Sequence, residues 1–278
     1  MKKWMAWSIL SLFVLLLAAC GSSEEVTSSV KGDTKSNEEL TKVKISASTT
    51  PHAEILQHIS DDLKAEGIEL DIIITQDGIQ TNQSTADGDL DANFFQHTPF
   101  LEQVNKDSGI DLVNVQGVHI EPFGVYSKKI DDITQLDEGA KVAVPNDPVN
   151  FSRALLLFAE NGIIELATDV EGSYTVQDIT KNEKNLEFVD IDGPLLVRAL
   201  DDVDIAAINT NYALEGGFKP LEDALIIEGN ESPYVNILVS RKDNQNDEAI
   251  QKIAAALTTE KVREFILEKY EGAVVPAF

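Results

Sequence analysis

From Val43 onward, short runs with the two-residue period of a strand are each followed by stretches with the period of a helix, and that order admits few folds. Val43-Lys44-Ile45-Ser46-Ala47 alternates as a strand. Thr50-Pro51 then offers an N-cap and a first-turn proline for a helix ending near Gly67, with Ile55, Leu56, Ile59 and Leu63 on one face. A strand at Leu70–Ile74 completes a βαβ unit, whose crossover is right-handed by rule. The alternation continues with a strand at Leu90–Asn93, a helix at Pro99–Lys106 and a strand at Asp111–Val115. Lys141–Val144 precedes a helix at Phe151–Glu160 closed by Asn161-Gly162, and Asp204–Ile208 precedes another near Tyr212. Tyr234–Ser240 is the last strand, with two amphipathic helices after it. The pattern predicts an α/β protein with largely parallel sheets covered on both sides. Roughly 235 residues exceed what one small core organises, so one or two lobes are expected. The polar stretches Ser127–Thr134 and Glu228–Pro233 are candidate crossings between them.

The N-terminus is written differently. Lys2 and Lys3 precede an apolar run from Ile9 to Ala19 that is short for a membrane span and fits a secretory signal. Leu17-Ala18-Ala19-Cys20 resembles a bacterial lipobox, which makes residues 1–19 a signal peptide and Cys20, the only cysteine, the site of lipid attachment. One cysteine cannot form an internal disulfide. Residues 20–41 are rich in Ser, Thr, Glu, Lys, Gly and Asn and read as a polar tether. Cleavage removes Lys2 and Lys3 and no acid, leaving 20 basic and 48 acidic side chains and a formal charge of −28. Nucleic acid and anionic lipid repel such a surface. The expected location is the extracytoplasmic face of the cell membrane, through the lipid anchor.

Catalytic signatures are absent from the sequence: it holds no GxSxG elbow, phosphate loop or HExxH. Asp61-Asp62 and Asp201-Asp202 are adjacent in sequence and do not face one another. A metal-importer lipoprotein is a competing reading and needs three or four converging ligands. The four histidines, His52, His58, His97 and His119, include no pair at helical spacing and no His-rich loop, so no metal site is expected. A surface lipoprotein recruited to another role is a further reading.

Three segments carry a resemblance: Asp89-Leu90-Asp91-Ala92-Asn93-Phe94-Phe95-Gln96-His97, Pro145-Asn146-Asp147-Pro148-Val149-Asn150-Phe151-Ser152-Arg153-Ala154-Leu155, and Ile208-Asn209-Thr210-Asn211-Tyr212-Ala213-Leu214. In this order, behind a lipobox, they resemble the methionine-binding (NlpA-type) substrate-binding lipoprotein family of ABC importers, over Val43 to Phe278. The resemblance implies a two-lobe periplasmic-binding-protein-like fold (type II), with the ligand cleft between lobes joined by a two-strand hinge. Residues 42–127 and 229–278 would form lobe I and 128–228 lobe II. It implies no cofactor, a monomer, an ABC permease and its ATPase as partners, and methionine or a related amino acid or short peptide as ligand.

The ligand-binding candidates are Phe95, His97, Asn150, Arg153, Asn211 and Asn236. Asn150 at a helix N-cap and Arg153 in the first turn would converge with free backbone amides on one carboxylate. By residue type alone Asn150 is also readable as a plain cap and Arg153 as a surface cation. Asn211 follows a predicted parallel strand, where α/β sheets present ligand contacts. The resemblance gives Asn211 and Asn236 the amino acid head group. Phe95 and His97, two apart, share one side of an extended chain, and an aromatic wall suits a thioether. One departure stands out: where relatives have Asp-Tyr-x-x-Pro-Asn, this chain reads Asp77-Gly78-Ile79-Gln80-Thr81-Asn82. Loss of that ring is expected to open space in the side-chain pocket.

Overall fold

The computed structural model describes residues 40–229 and 231–278. The signal peptide, Cys20 and the tether up to residue 39 lie outside the described residues. No helix among those described is long and apolar enough to cross a membrane.

The chain first builds β1 (Thr41–Ala47), α1 (Glu54–Ala65), β2 (Ile68–Ile74), α2 (Gly78–Ala86), β3 (Ala92–His97), α3 (Thr98–Ser108) and β4 (Val113–Ile120). It then lays down β5 (Gly124–Tyr126), β6 (Lys141–Pro145), α4 (Pro148–Glu160), the short pair β7 (Glu165–Leu166) and β8 (Ile179–Lys181), and β9 (Glu187–Ile191). After α5 (Leu196–Ala199) come β10 (Ile205–Ile208), α6 (Thr210–Glu215), α7 (Pro220–Asp223) and β11 (Ile226–Ile227). It returns through β12 (Val235–Ser240), α8 (Glu248–Ala256), α9 (Glu260–Tyr270) and β13 (Val275–Pro276). One sheet has the order β13-β4-β12-β3-β1-β2 and the second β11-β5-β10-β6-β9.

The α/β alternation is the one that the strand and helix periods imply, and the two large sheets fit the two lobes that the resemblance implies, with two differences. The sheets are mixed: β12 runs antiparallel to both β3 and β4, and β5 antiparallel to β10 and β11. The first crossing also comes early, because the chain leaves β4 at Ile120 and enters the second sheet at Gly124. Phe123-Gly124-Val125-Tyr126 is apolar and reads as a continuation of the preceding strand, whereas Pro122 lacks the N–H that a ladder needs.

In α1 the apolar stripe lands as its period predicts, with Ile55, Leu56, Ile59 and Leu63 all buried against Val43, Ile45 and Leu238. Each such side chain contributes about 1.5–3 kcal/mol by leaving water. The helix starts at Glu54, because Thr50 holds an extended backbone ahead of Pro51, as a residue before proline prefers. A separate core under the second sheet gathers Val142, Val144, Leu155, Phe158 and Ile205.

Candidate functional site

A cavity of about 350 Å³ lies between the two sheets, at the carboxyl ends of their strands. The six candidate residues all line it: Phe95 and His97 from β3, Asn150 and Arg153 from α4, Asn211 from α6 and Asn236 from β12. Strand register sets Asn236 opposite His97 on one side and His119 on the other.

The N-terminus of α4 differs from the expectation. The helix begins at Pro148 and its cap is Asp147, whose carboxylate accepts the Asn150 N–H at 2.9 Å. Asp-Pro is itself a helix-start signal, since proline at the first position has no N–H to satisfy. The helix end is therefore occupied by the chain's own carboxylate, and Arg153 sits in the second turn. The Asn150 amide donates to both Asp147 oxygens at 3.1 and 3.0 Å. Its Oδ1 accepts from His97 Nε2 and from the Asn209 amide, both at 3.1 Å. Asn150 thus ties the second sheet to the first. His97 Nδ1 accepts the Phe100 N–H and caps α3, which leaves the ring proton on Nε2 for this bond. Burial, and then the nearby Arg153 charge, lowers the His97 pKa to about 3, so the ring is neutral.

Arg153 is buried and already grips a carboxylate. Its Nε reaches Glu228 Oε1 at 2.7 Å and its Nη2 reaches Glu228 Oε2 at 2.5 Å, with a further bond from Nη2 to the Glu121 carbonyl at 2.9 Å. The guanidinium is held between the rings of Phe123, 5.0 Å away, and Tyr234, 4.0 Å away. The two-pronged face assigned to a ligand from sequence is taken by Glu228, and Nη1 is the nitrogen left over. Glu228 also accepts the Phe123 N–H at 3.1 Å, and its own N–H donates to the Phe123 carbonyl at 2.9 Å, which joins the two crossing segments.

Sequence reasoning missed a buried group beside Arg153. His52, His119 and Glu121 converge, with one ligand atom from each within 4.8 Å of the others. Glu121 Oε1 lies 2.8 Å from His119 Nε2 and 3.4 Å from His52 Nε2, and Oε2 accepts the Asn211 N–H at 3.0 Å. Ser48 Oγ stands 2.6 Å from His52 Nδ1, and Asn236 Oδ1 is 3.0 Å from His52 Nε2. Burial lowers the pKa to about 4 for His52 and about 3 for His119, and raises that of Glu121. The signal was a charged residue next to a strand, in Val118-His119-Ile120-Glu121-Pro122, with His52 distant in sequence.

The apolar wall also departs from expectation. A Cβ at Gly78 would meet Phe95 Cε2 at 2.7 Å and Phe100 at 3.2 Å, so these two rings already fill the space next to Gly78. Beneath them α2 is fixed to β3 by a fully buried amide network. The side chains of Asn82 and Gln96 exchange bonds of 2.9 and 2.6 Å, and Asn93 donates to Thr85 at 2.9 Å.

The family model for the NlpA lipoprotein matches residues 43–278. The D-methionine-binding lipoprotein MetQ of Escherichia coli K12 is 40% identical over 225 residues, 80% of this chain and 82% of that protein. Among solved structures, an ABC transporter periplasmic substrate-binding protein from Coxiella burnetii is 38% identical with a TM-score of 0.81, covering 84% of this chain and 100% of that one. A nutrient-binding protein from Burkholderia cenocepacia, solved bound to methionine, is 38% identical with a TM-score of 0.82, covering 85% of this chain and 100% of that one. With the match spanning the whole described globule, this chain belongs to the NlpA lipoprotein family.

Proposed function

We propose that the protein is the substrate-binding lipoprotein of an ABC importer, capturing methionine or a closely related small amino acid and delivering it to a membrane permease. The observation that carries this reading is the cavity between the two sheets, lined by aromatic rings on one side and by Arg153 and a set of asparagines on the other, in a member of this family. An apolar slot with a few convergent polar groups is what a small amphiphilic ligand needs. Arg153 meets the ligand carboxylate through Nη1, Asn211 and Asn236 orient the head group, and Phe95 with His97 walls the side chain. The segments at Glu121–Phe123 and around Glu228–Tyr234 serve as the hinge between lobe I and lobe II. Ligand stabilises the closed state by its differential affinity, aided by the His97–Asn150 bond across the cleft. Cys20 anchors the chain to the extracytoplasmic face of the membrane, and the binding cycle involves no catalytic step.

Thermal unfolding of ligand-stripped protein tests this against L- and D-amino acids, methionine derivatives, short methionine peptides and divalent metals. Methionine or a close relative is expected to raise the midpoint by binding linkage. A shift with metals alone, or with none of the panel, would overturn the importer reading.

A further inference from the structure

We propose that the Glu121 carboxylate, held by His119 and the Asn211 N–H beside His52, is the group that recognises the ligand's ammonium, so that the site requires a free amino group next to the ligand carboxylate. This rests on the importer reading above and deepens it.

Three features of the site converge on Glu121. The first is position: it lines the cavity, and its own carbonyl accepts from Arg153 Nη2 at 2.9 Å. The cationic guanidinium and the anionic carboxylate therefore border the same end of the cavity, as the two ends of a zwitterion demand. The second is capacity. An ionised carboxylate offers about four acceptor sites, and the chain fills two of them with His119 and the Asn211 N–H, because the Nε2 proton of His52, 3.4 Å from Oε1, is given to Asn236. The third is charge. Arg153 is paired with Glu228, and the ion-pair contacts of Glu121 within 4.0 Å are the two histidines. Burial keeps both rings neutral near pH 7, so neither supplies a cation. A buried carboxylate without a cation is costly, and a ligand ammonium removes that cost. Asp77, Asp147 and Asp192 also line the cavity, but Asp77 and Asp147 are committed to capping helices, accepting from Gln80 and Asn150 respectively, and Asp192 is exposed to solvent, which satisfies its charge.

A metal ion is the competing occupant of the same cluster, and His119 weighs against it. Its Nδ1 is buried with no hydrogen-bond partner among the described residues. Coordination through Nε2 would move the ring proton to Nδ1 and create a buried donor with nothing to receive it, whereas metal-binding histidines normally donate that proton to a partner. With the proton on Nε2, His119 serves Glu121 and leaves only a bare acceptor.

Calorimetry on the full chain, purified in detergent and stripped of ligand, decides the question with L-methionine, its des-amino analogue 4-(methylthio)butanoic acid, N-acetyl-L-methionine and Zn²⁺ alone. The wild type is expected to bind both amine-blocked analogues at least about 30-fold more weakly than methionine, the usual scale for leaving a buried charge unpaired. Glu121→Gln is expected to lose affinity for methionine while holding the des-amino analogue within about threefold of the wild type. Equal binding of methionine and the des-amino analogue by the wild type would overturn the proposal without any variant. So would an equal loss of both ligands in Glu121→Gln, or a Zn²⁺ site abolished by that change. Failure of every amino acid to bind would instead bring down the importer reading, and this proposal with it.

Discussion

Arg153 and Gly78 show how one side chain, or its absence, sets the site. Arg153 is nearly fully buried and its charge is matched by Glu228. Arg153→Ala would strand that carboxylate, and removing one member of a buried pair typically costs about 3–5 kcal/mol. Glu228 keeps some contact with solvent, so we expect about 3 kcal/mol, read as a lower urea midpoint at unchanged slope. An unchanged midpoint would mean that Glu228 rehydrates freely. Affinity lost in this variant therefore mixes binding with stability, and Arg153→Lys, which keeps the charge but not the fork, separates the two. Gly78 opens α2 with ordinary helical backbone, so a side chain there meets a steric limit only. In Gly78→Ala the new methyl has to push the half-buried Phe95 ring toward the cavity. Ligand affinity should fall by roughly tenfold, the scale of a methylene misfit in an apolar pocket, with stability changed by no more than about 1 kcal/mol. Unaltered affinity would show that Phe95 does not line the occupied part of the cavity.

Helix α4 makes the same point at the scale of an element. Asp147 caps it through the Asn150 N–H and also fixes the Asn150 amide that reaches His97 across the cleft. Asp147→Ala should cost about 1–2 kcal/mol of stability and weaken ligand binding, while Asp147→Ser keeps the cap and recovers most of the stability but not the orientation of Asn150. Wild-type affinity in either variant would argue that Asn150 needs no support. Elements with an apolar stripe were legible in the sequence: α1 buries the four residues that its period names, and β1, β6 and β10 fall where alternation or short apolar runs place them. Among the elements that were not legible is α2. Its buried face consists of Thr81, Asn82 and Thr85, so no hydrophobic period marks it. Among the positions lining the cavity, Asn150, Arg153 and Asn211 follow strand ends and were legible locally, whereas Phe95, His97 and Asn236 lie within β3 and β12 and came from the family resemblance. The partners of those positions were not legible. Glu228 lies 75 residues from Arg153 and Glu121 lies 69 from His52, and only the fold sums such distant charges.

For the whole molecule, the buried histidines couple folding to pH. His52, His97 and His119 carry pKa values of about 4, 3 and 3 in the folded protein, against 6.5 for the free side chain. A depressed folded value means that each contribution is intact above pH 6.5 and is lost as pH falls toward the folded value, because the unfolded chain takes up protons that the folded one refuses. Each proton contributes about 1.4 kcal/mol per pH unit in that window. Glu121, Asp147 and Glu215 are shifted the other way, upward by burial. Their contributions are present at low pH and lost as pH rises through the raised values, so they oppose the histidines. All three histidines titrate in the unfolded chain near 6.5, where ordinary carboxylates are already ionised, so the histidine term dominates the upper part of the range. Stability from urea unfolding should therefore fall by a few kcal/mol between pH 7 and pH 5, offset in part where the raised carboxylates take up protons, and keep falling until the rings themselves titrate near pH 4 to 3. Bound ligand adds to the effect if Glu121 holds an ammonium, since protonating that carboxylate removes the counter-charge: the stabilisation by methionine should shrink over the same acid range, while that by a des-amino analogue should not. A stability profile flat from pH 7 to pH 5 would show that the three rings gain access to water at little cost, and that the core around the cleft opens far more readily than its burial implies.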